Sequence, residues 1–238
     1  MSKPLAGVLG GLGPMATVYF MSSVLSNTYS LTDQDHVDMI VWNQGSIPDR
    51  TAYLVGASDD NPLPHMIAAA RALESSGASF IAMPCNTAHH FYDALAEAVT
   101  VPFLNIVEET VVWSQQRVPG AQTVGVLATD GTVRAGTYER WCDAAGLTCI
   151  LPEPQVQAAV MEMIYDGVKA GRPVTESAFR APIEHLRQLG CDVIVLGCTE
   201  LSMIYHDLDI QDPDIVDSLD ALARATIRAS GKTLRDEH

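Results

Sequence analysis

Two cysteines stand in nearly the same setting. In FIAMPCNTAHH (80–90) Cys85 closes an apolar run, and in VIVLGCTEL (193–201) Cys198 does the same 113 residues later. An apolar run that stops at polar residues reads as a buried strand, and in α/β sheets ligands collect at the carboxyl ends of strands. Asn86 and Thr87 after the first cysteine, and Thr199 after the second, are suited to cap a helix. Each sulfur would then lie at a helix N-terminus, where the dipole favours the thiolate, a nucleophile or base. Cysteine is also a small, usually buried hydrophobe, and Cys142, Cys149 and Cys191, outside such settings, are read that way. A hydrolase needs one thiol with a histidine and a third group. Two equivalent thiols suit racemisation instead, which needs a base on one face of a stereocentre and an acid on the other, with the roles exchanged in reverse. His89 and His90 follow Cys85 on the helix they begin and are read as packing or solvated side chains.

The elements that must position these thiols alternate along the chain. Strands are predicted at 5–9, 37–42, 79–83, 123–128, 147–151 and 192–197, most of them apolar on both faces, as in a covered parallel sheet. Helices are predicted at 14–28, 63–76, 88–98, 106–117, 132–145, 155–170, 175–189 and 217–230. This order specifies an α/β protein with parallel sheets. LESSGASFIAMPC (73–85) and LRQLGCDVIVLGC (186–198) match Leu, Gly, Ile and Cys at equal offsets, and GVLGGLG (7–13) resembles GVLATDG (125–131). Two similar lobes follow, residues 1–104 and 105–206, with 207–238 expected to return to the first.

Gly11-Leu-Gly13-Pro-Met-Ala16 formally satisfies a dinucleotide-binding G-x-G-x-x-A. Pro14 removes a backbone N–H where a pyrophosphate wants donors, and the next strand ends in Trp42-Asn43 with no acidic residue for a ribose, so a dinucleotide is not expected. A net charge of -15, from 14 Lys+Arg against 29 Asp+Glu, repels polyanions, and neither nucleic acid nor anionic membrane is an expected partner. An anionic substrate must therefore be held by local donors. The uncharged stretch 4–32 is broken by GGLGP, and its opening LAGVL is too short for a signal peptide, so neither export nor a membrane span is expected. Five cysteines, without the close pairs of a zinc or redox motif, point to reduced thiols in the cytoplasm.

GGLGPMAT, SIPDRT, MPCNTAH, LATDGT, IYDGVKAG and LGCTEL, in this order over roughly residues 5–205, resemble the aspartate/glutamate racemase family. The resemblance implies two pseudo-symmetric parallel-sheet lobes, an active site in the cleft between them, and no cofactor, neither pyridoxal phosphate nor metal. It makes Cys85 and Cys198 the acid/base pair at Cα. Asn86, Thr87, Thr129 and Thr199, with backbone N–H groups and Gly11 of the glycine loop, would hold the α-carboxylate and ammonium groups. Arg50 would pair with a side-chain carboxylate, which suits a guanidinium fork, and Lys169 would reach the same region. Glu200 stands where glutamate-specific relatives have histidine, which implies an aspartate-type or broader branch; it would orient the ammonium group or the second thiol. A homodimer is implied as well. The expected reaction interconverts L- and D-aspartate, with glutamate as a second substrate. The alternatives are another carbon acid, such as a hydantoin or maleate, or a non-catalytic amino-acid-binding protein. Residues 43–62 are expected to form a mobile loop carrying Arg50 over the substrate.

Overall fold

The computed structural model describes residues 3–237. β1 (Leu5–Gly10), β2 (Asp38–Asn43) and β3 (Phe80–Ala82) form a parallel sheet in the order β2-β1-β3. β4 (Thr123–Leu127), β5 (Thr148–Ile150), β6 (Val193–Leu196) and β7 (Ile215–Asp217) form a second, in the order β5-β4-β6-β7. A lone parallel bridge, Ile81 to Phe103, stands beside β3 as β7 stands beside β6, so both sheets repeat one arrangement. All four residues of β6 are fully buried, which is why it reads as a continuous apolar run rather than an alternating one.

The helices are α1 (Pro14–Asn27), α2 (Arg50–Leu54), α3 (Leu63–Ser75), α4 (Tyr92–Glu97), α5 (Ile106–Arg117), α6 (Asp130–Arg134), α7 (Thr137–Ala144), α8 (Pro154–Glu162), α9 (Glu176–Gln188), α10 (Thr199–Asp207) and α11 (Ser218–Ala229). The helix predicted at 132–145 is divided into α6 and α7, and the one at 155–170 passes from α8 into a π-helical turn, Met163–Val168. The segment after Cys85 opens as a 3-10 turn, Thr87–Phe91, before α4. α2 and β7 were not predicted, and α10 is the helix expected to begin after Cys198. Ile215–Asp217 lies in the segment expected to return to the first lobe, yet it pairs with β6 in the second sheet.

α5 follows the Ile81–Phe103 bridge as α11 follows β7, and the two helices are built alike. Asn105 accepts from the amides of Val107 and Glu108, and Asp217 accepts from that of Leu219, each capping its helix. The two helices pack on each other; α5 also packs on α7, and α11 on α1. One core therefore runs through both halves, from Val8 and Phe20 through Leu219 and Leu222 to Val126 and Val195. Separate cores lie outside it, one around Leu73 and Ile81 and the other around Phe179 and Ile183. Each such side chain contributes about 1.5–3 kcal/mol on full burial, and this holds the carboxyl ends of β3 and β6 on one cleft. Among the described residues no helix is long and apolar enough to cross a membrane.

Candidate active site

Cys85 and Cys198 line the same cleft, with Asn86 and Thr87 on one side and Thr199 and Glu200 on the other. Thr129 after β4, Arg50 on α2 and Lys169 complete the expected residues that meet there. The cleft holds about 270 Å³ of empty space. Gly11 lines the adjoining vestibule instead, with Gly13 and Met15. Its N–H donates to Thr17 Oγ1 at 2.9 Å. At φ +91°, and with Gln44 backbone atoms within 2.5 Å of where a Cβ would lie, the position admits glycine for its backbone rather than as a substrate donor.

The Cys85 side is a hydrogen-bonded frame. Tyr138 donates its hydroxyl to Asn86 Oδ1 at 2.7 Å, Asn86 Nδ2 donates to Ser218 Oγ at 2.9 Å, and Ser218 donates to the Leu196 carbonyl at 2.7 Å. This chain ties the end of β3 to that of β6. Asn86 therefore makes no side-chain cap, contrary to its sequence reading, because its amide is engaged across the cleft. The hydroxyls of Thr87, Thr129 and Thr132 form a triangle with edges of 2.9, 3.0 and 3.1 Å. Thr132 was not singled out from the sequence, although LATDGT contains it. The Ile106 amide donates to His89 Nε2 at 3.1 Å, which puts the ring proton on Nδ1, donated to the Cys85 carbonyl at 2.7 Å. Burial lowers this imidazole's pKa to about 4, so it is neutral and fixes the backbone behind the thiol. His90 is exposed.

The Cys198 side carries charge. Cys198 is itself the N-cap residue of α10, without a side-chain cap bond. Its Sγ donates to Glu200 Oε2 at 3.0 Å, and the Thr199 hydroxyl donates to the same oxygen at 3.2 Å. Burial first, and the Glu200 carboxylate second, raise the Cys198 thiol well above its usual range, against the pull of Lys169. The thiolate favoured by a helix N-terminus is thus outweighed here. Lys169 follows the π-helical turn, a feature frequent at functional sites, and lies 4.0 Å over the Tyr165 ring and 3.6 Å from Asp49. Burial pushes its ammonium down, but Glu200, Cys198, Tyr165 and Asp49 together raise it. Burial likewise disfavours the Asp49 carboxylate, while the Ala52 amide, Lys169, Arg50 and Tyr165 leave its pKa below the ordinary value.

The expected mobile loop includes a folded segment, α2, capped by Asp49 and laid across the cleft. Gly131 admits it: a Cβ there would stand 2.9 Å from Thr51 Cα. Arg134 then donates to the Val55 carbonyl at 3.0 Å. Arg50 is only 7% exposed; its Nη1 donates to the carbonyls of Ile47 and Pro48, and its Nε has no partner. Among the described residues no group of three or more His, Cys, Asp or Glu side chains could hold a metal ion.

Two thiols, two cations and a set of hydroxyls on one cleft can bind an anionic carbon acid and exchange a proton on either face. The family pattern of Asp/Glu/Hydantoin racemase matches residues 9–226. Over 236 residues the chain is 30% identical to the broad specificity amino-acid racemase RacX of Bacillus subtilis, spanning 94% of this chain and 96% of that protein. The Picrophilus torridus aspartate racemase superposes with a TM-score of 0.82 at 30% identity, covering 98% of this chain and 97% of the other. A glutamate racemase from Francisella tularensis, at 17% identity and a TM-score of 0.66 over 96% of this chain and 81% of its own, shares the fold. Pattern, sequence and fold agree over nearly the whole length, and the chain belongs to the Asp/Glu/hydantoin racemase family.

Proposed function

We propose that this amino-acid racemase interconverts L- and D-aspartate by proton transfer at Cα between Cys85 and Cys198, without pyridoxal phosphate or metal. One thiolate removes the Cα proton, the opposite S–H delivers its own to the other face, and each sulfur leaves in the state its partner began in. The hydroxyls of Thr87, Thr129 and Thr199, with nearby backbone N–H groups, receive the α-carboxylate.

The observation that carries the substrate is Arg50. A guanidinium 7% exposed, with its Nε unpartnered and its neighbour Asp49 already engaged by the Ala52 amide and Lys169, can take a further anion. A side-chain carboxylate supplies it, and Lys169 stands on the same cleft. The reading includes a homodimer in the cytoplasm, checked by light scattering and fractionation.

The deciding assay follows exchange of the Cα hydrogen with deuterated water, starting from pure L- or D-aspartate and no added cofactor. Exchange from both enantiomers is expected; none with any acidic amino acid overturns the proposal. Cys85→Ser and Cys198→Ser should each lower the rate by about 10²–10⁴-fold, the usual worth of a positioned acid or base. Arg50→Ala should raise KM for aspartate about 100-fold, the equivalent of a lost charge-assisted bond of some 2–3 kcal/mol. Unchanged turnover in that variant would point to a substrate without a side-chain carboxylate, such as a hydantoin.

A further inference from the structure

The two halves of the cleft are related by the repeat yet differ at one position. Cys85-Asn86-Thr87 aligns with Cys198-Thr199-Glu200, which makes Thr87 and Glu200 counterparts. Thr87 bonds to Thr129 and Thr132, whereas Glu200 accepts the Cys198 S–H at 3.0 Å. Glu200 is 6% exposed. The other carboxylate on the cleft, Asp49, already accepts from the Ala52 amide at 2.7 Å and pairs with Lys169 at 3.6 Å. The charged or titratable groups on the cleft with the Cys198–Glu200 pair are Lys169, which lies over the Tyr165 ring, Asp49 and Arg50 at the start of α2, and Cys85 across the cleft.

Two-thiol racemisation works only when the sulfurs hold one proton between them, one as base and one as acid. Two protonated thiols are inert, so one proton has to leave the pair. We propose that Glu200 is the internal store for that proton, arming Cys198 without release to solvent. The inference rests on the racemase reading. At rest the proton is on Cys198 and Glu200 is a carboxylate; arming moves it across the 3.0 Å bond, giving a thiolate and a neutral carboxyl. The pair carries one negative charge before and after, beside the Lys169 ammonium in both forms, so no new uncompensated charge is buried.

During turnover Glu200 keeps this proton while the sulfurs take and give the other. If Cys198 abstracts the Cα proton it becomes S–H, Cys85 gives up its own proton to the opposite face, and solvent resets Cys85 and Glu200 after product leaves. A free thiol near 8.5 and a free carboxyl near 4.3 would leave the proton on sulfur by about four orders of magnitude, and burial beside Glu200 raises the Cys198 thiol further. An acidic substrate narrows that gap, since its carboxylates favour the neutral carboxyl and its ammonium favours the thiolate. The cleft thus arms when substrate is bound.

Glu200→Gln keeps the shape and an acceptor for Thr199 but cannot take up a proton. Its kcat is expected to fall about 100-fold at neutral pH with KM changed less than about threefold, and to recover as pH rises, whereas the wild type stays flat across the same range. Glu200→Asp should restore part of the neutral rate. A second readout needs no turnover: alkylation of Cys198 by iodoacetamide, followed by peptide mass against pH. Removing the adjacent negative charge should move its midpoint down by about one pH unit, so that the variant ionises this thiol more readily yet racemises more slowly. A wild-type alkylation midpoint, near-wild-type kcat with a flat profile, or a change confined to KM would each overturn the proton store. Absence of Cα exchange in the wild type would instead overturn the racemase reading, so the two failures are distinguishable.

Discussion

At the residue scale, His89 couples the position of Cys85 to pH. Its ring is neutral in the folded protein, lowered by burial to about 4 from 6.5, and donates to the Cys85 carbonyl. A depressed folded value means that the unfolded chain binds the proton first. The stability it contributes is complete above about pH 6.5 and is lost as pH falls toward 4, about 3 kcal/mol in all. His206, raised chiefly by its bond to Asp217, has the opposite sign: its contribution is present in acid and lost as pH rises through its folded value. Denaturant titrations from pH 7 to 4 should therefore show a steeper loss in the wild type than in His89→Gln, which has no ring to protonate. Parallel curves would assign the acid sensitivity to other groups.

At the element scale, α2 forms one wall of the cleft. Asp49 holds this short helix over the cleft by capping it and by meeting Lys169 and Tyr165 from the opposite half. Asp49→Asn retains the cap but removes the charge. The Lys169 pair is partly exposed, with side-chain accessibilities of 27% and 39%, so its loss is worth at most about 1 kcal/mol. Steady-state kinetics on aspartate should show KM raised by up to about fivefold and kcat altered less, with faster trypsin cleavage after Arg50. Unchanged KM and cleavage would show that Asp49 does not hold the helix closed.

At the scale of the whole molecule, the two halves are similar but not independent. α5 and α11 cross between them, and Leu222, fully buried in the shared core, belongs to both. Leu222→Ala should destabilise the protein by about 2–5 kcal/mol and leave a single cooperative unfolding transition by circular dichroism and intrinsic fluorescence. Two separated transitions, only one of them shifted, would mean that the halves fold alone. Coupling of this kind keeps Cys85 and Cys198, carried by different sheets, in fixed relation.

What the sequence determined by itself was whatever repeats locally and at length. The buried strands had to be apolar on both faces, so β1, β4 and β6 were readable, and the equal offsets around Cys85 and Cys198 made the two halves visible. The tertiary structure decided the rest. α2, with five residues, and β7, with three, are too short to persist alone and exist through Gly131 and β6, far along the chain. Lys169 lines the cleft from just after a π-helical turn that a helical period does not reveal. Asn86 reads locally as a cap, but Tyr138 and Ser218 claim its amide. The thiol of Cys198, expected from its strand-end setting to favour ionisation, is held protonated because folding buries it beside Glu200. Periodicity and capping are written within a few residues, whereas burial and partners separated by tens of residues come into being only when the chain has closed on itself.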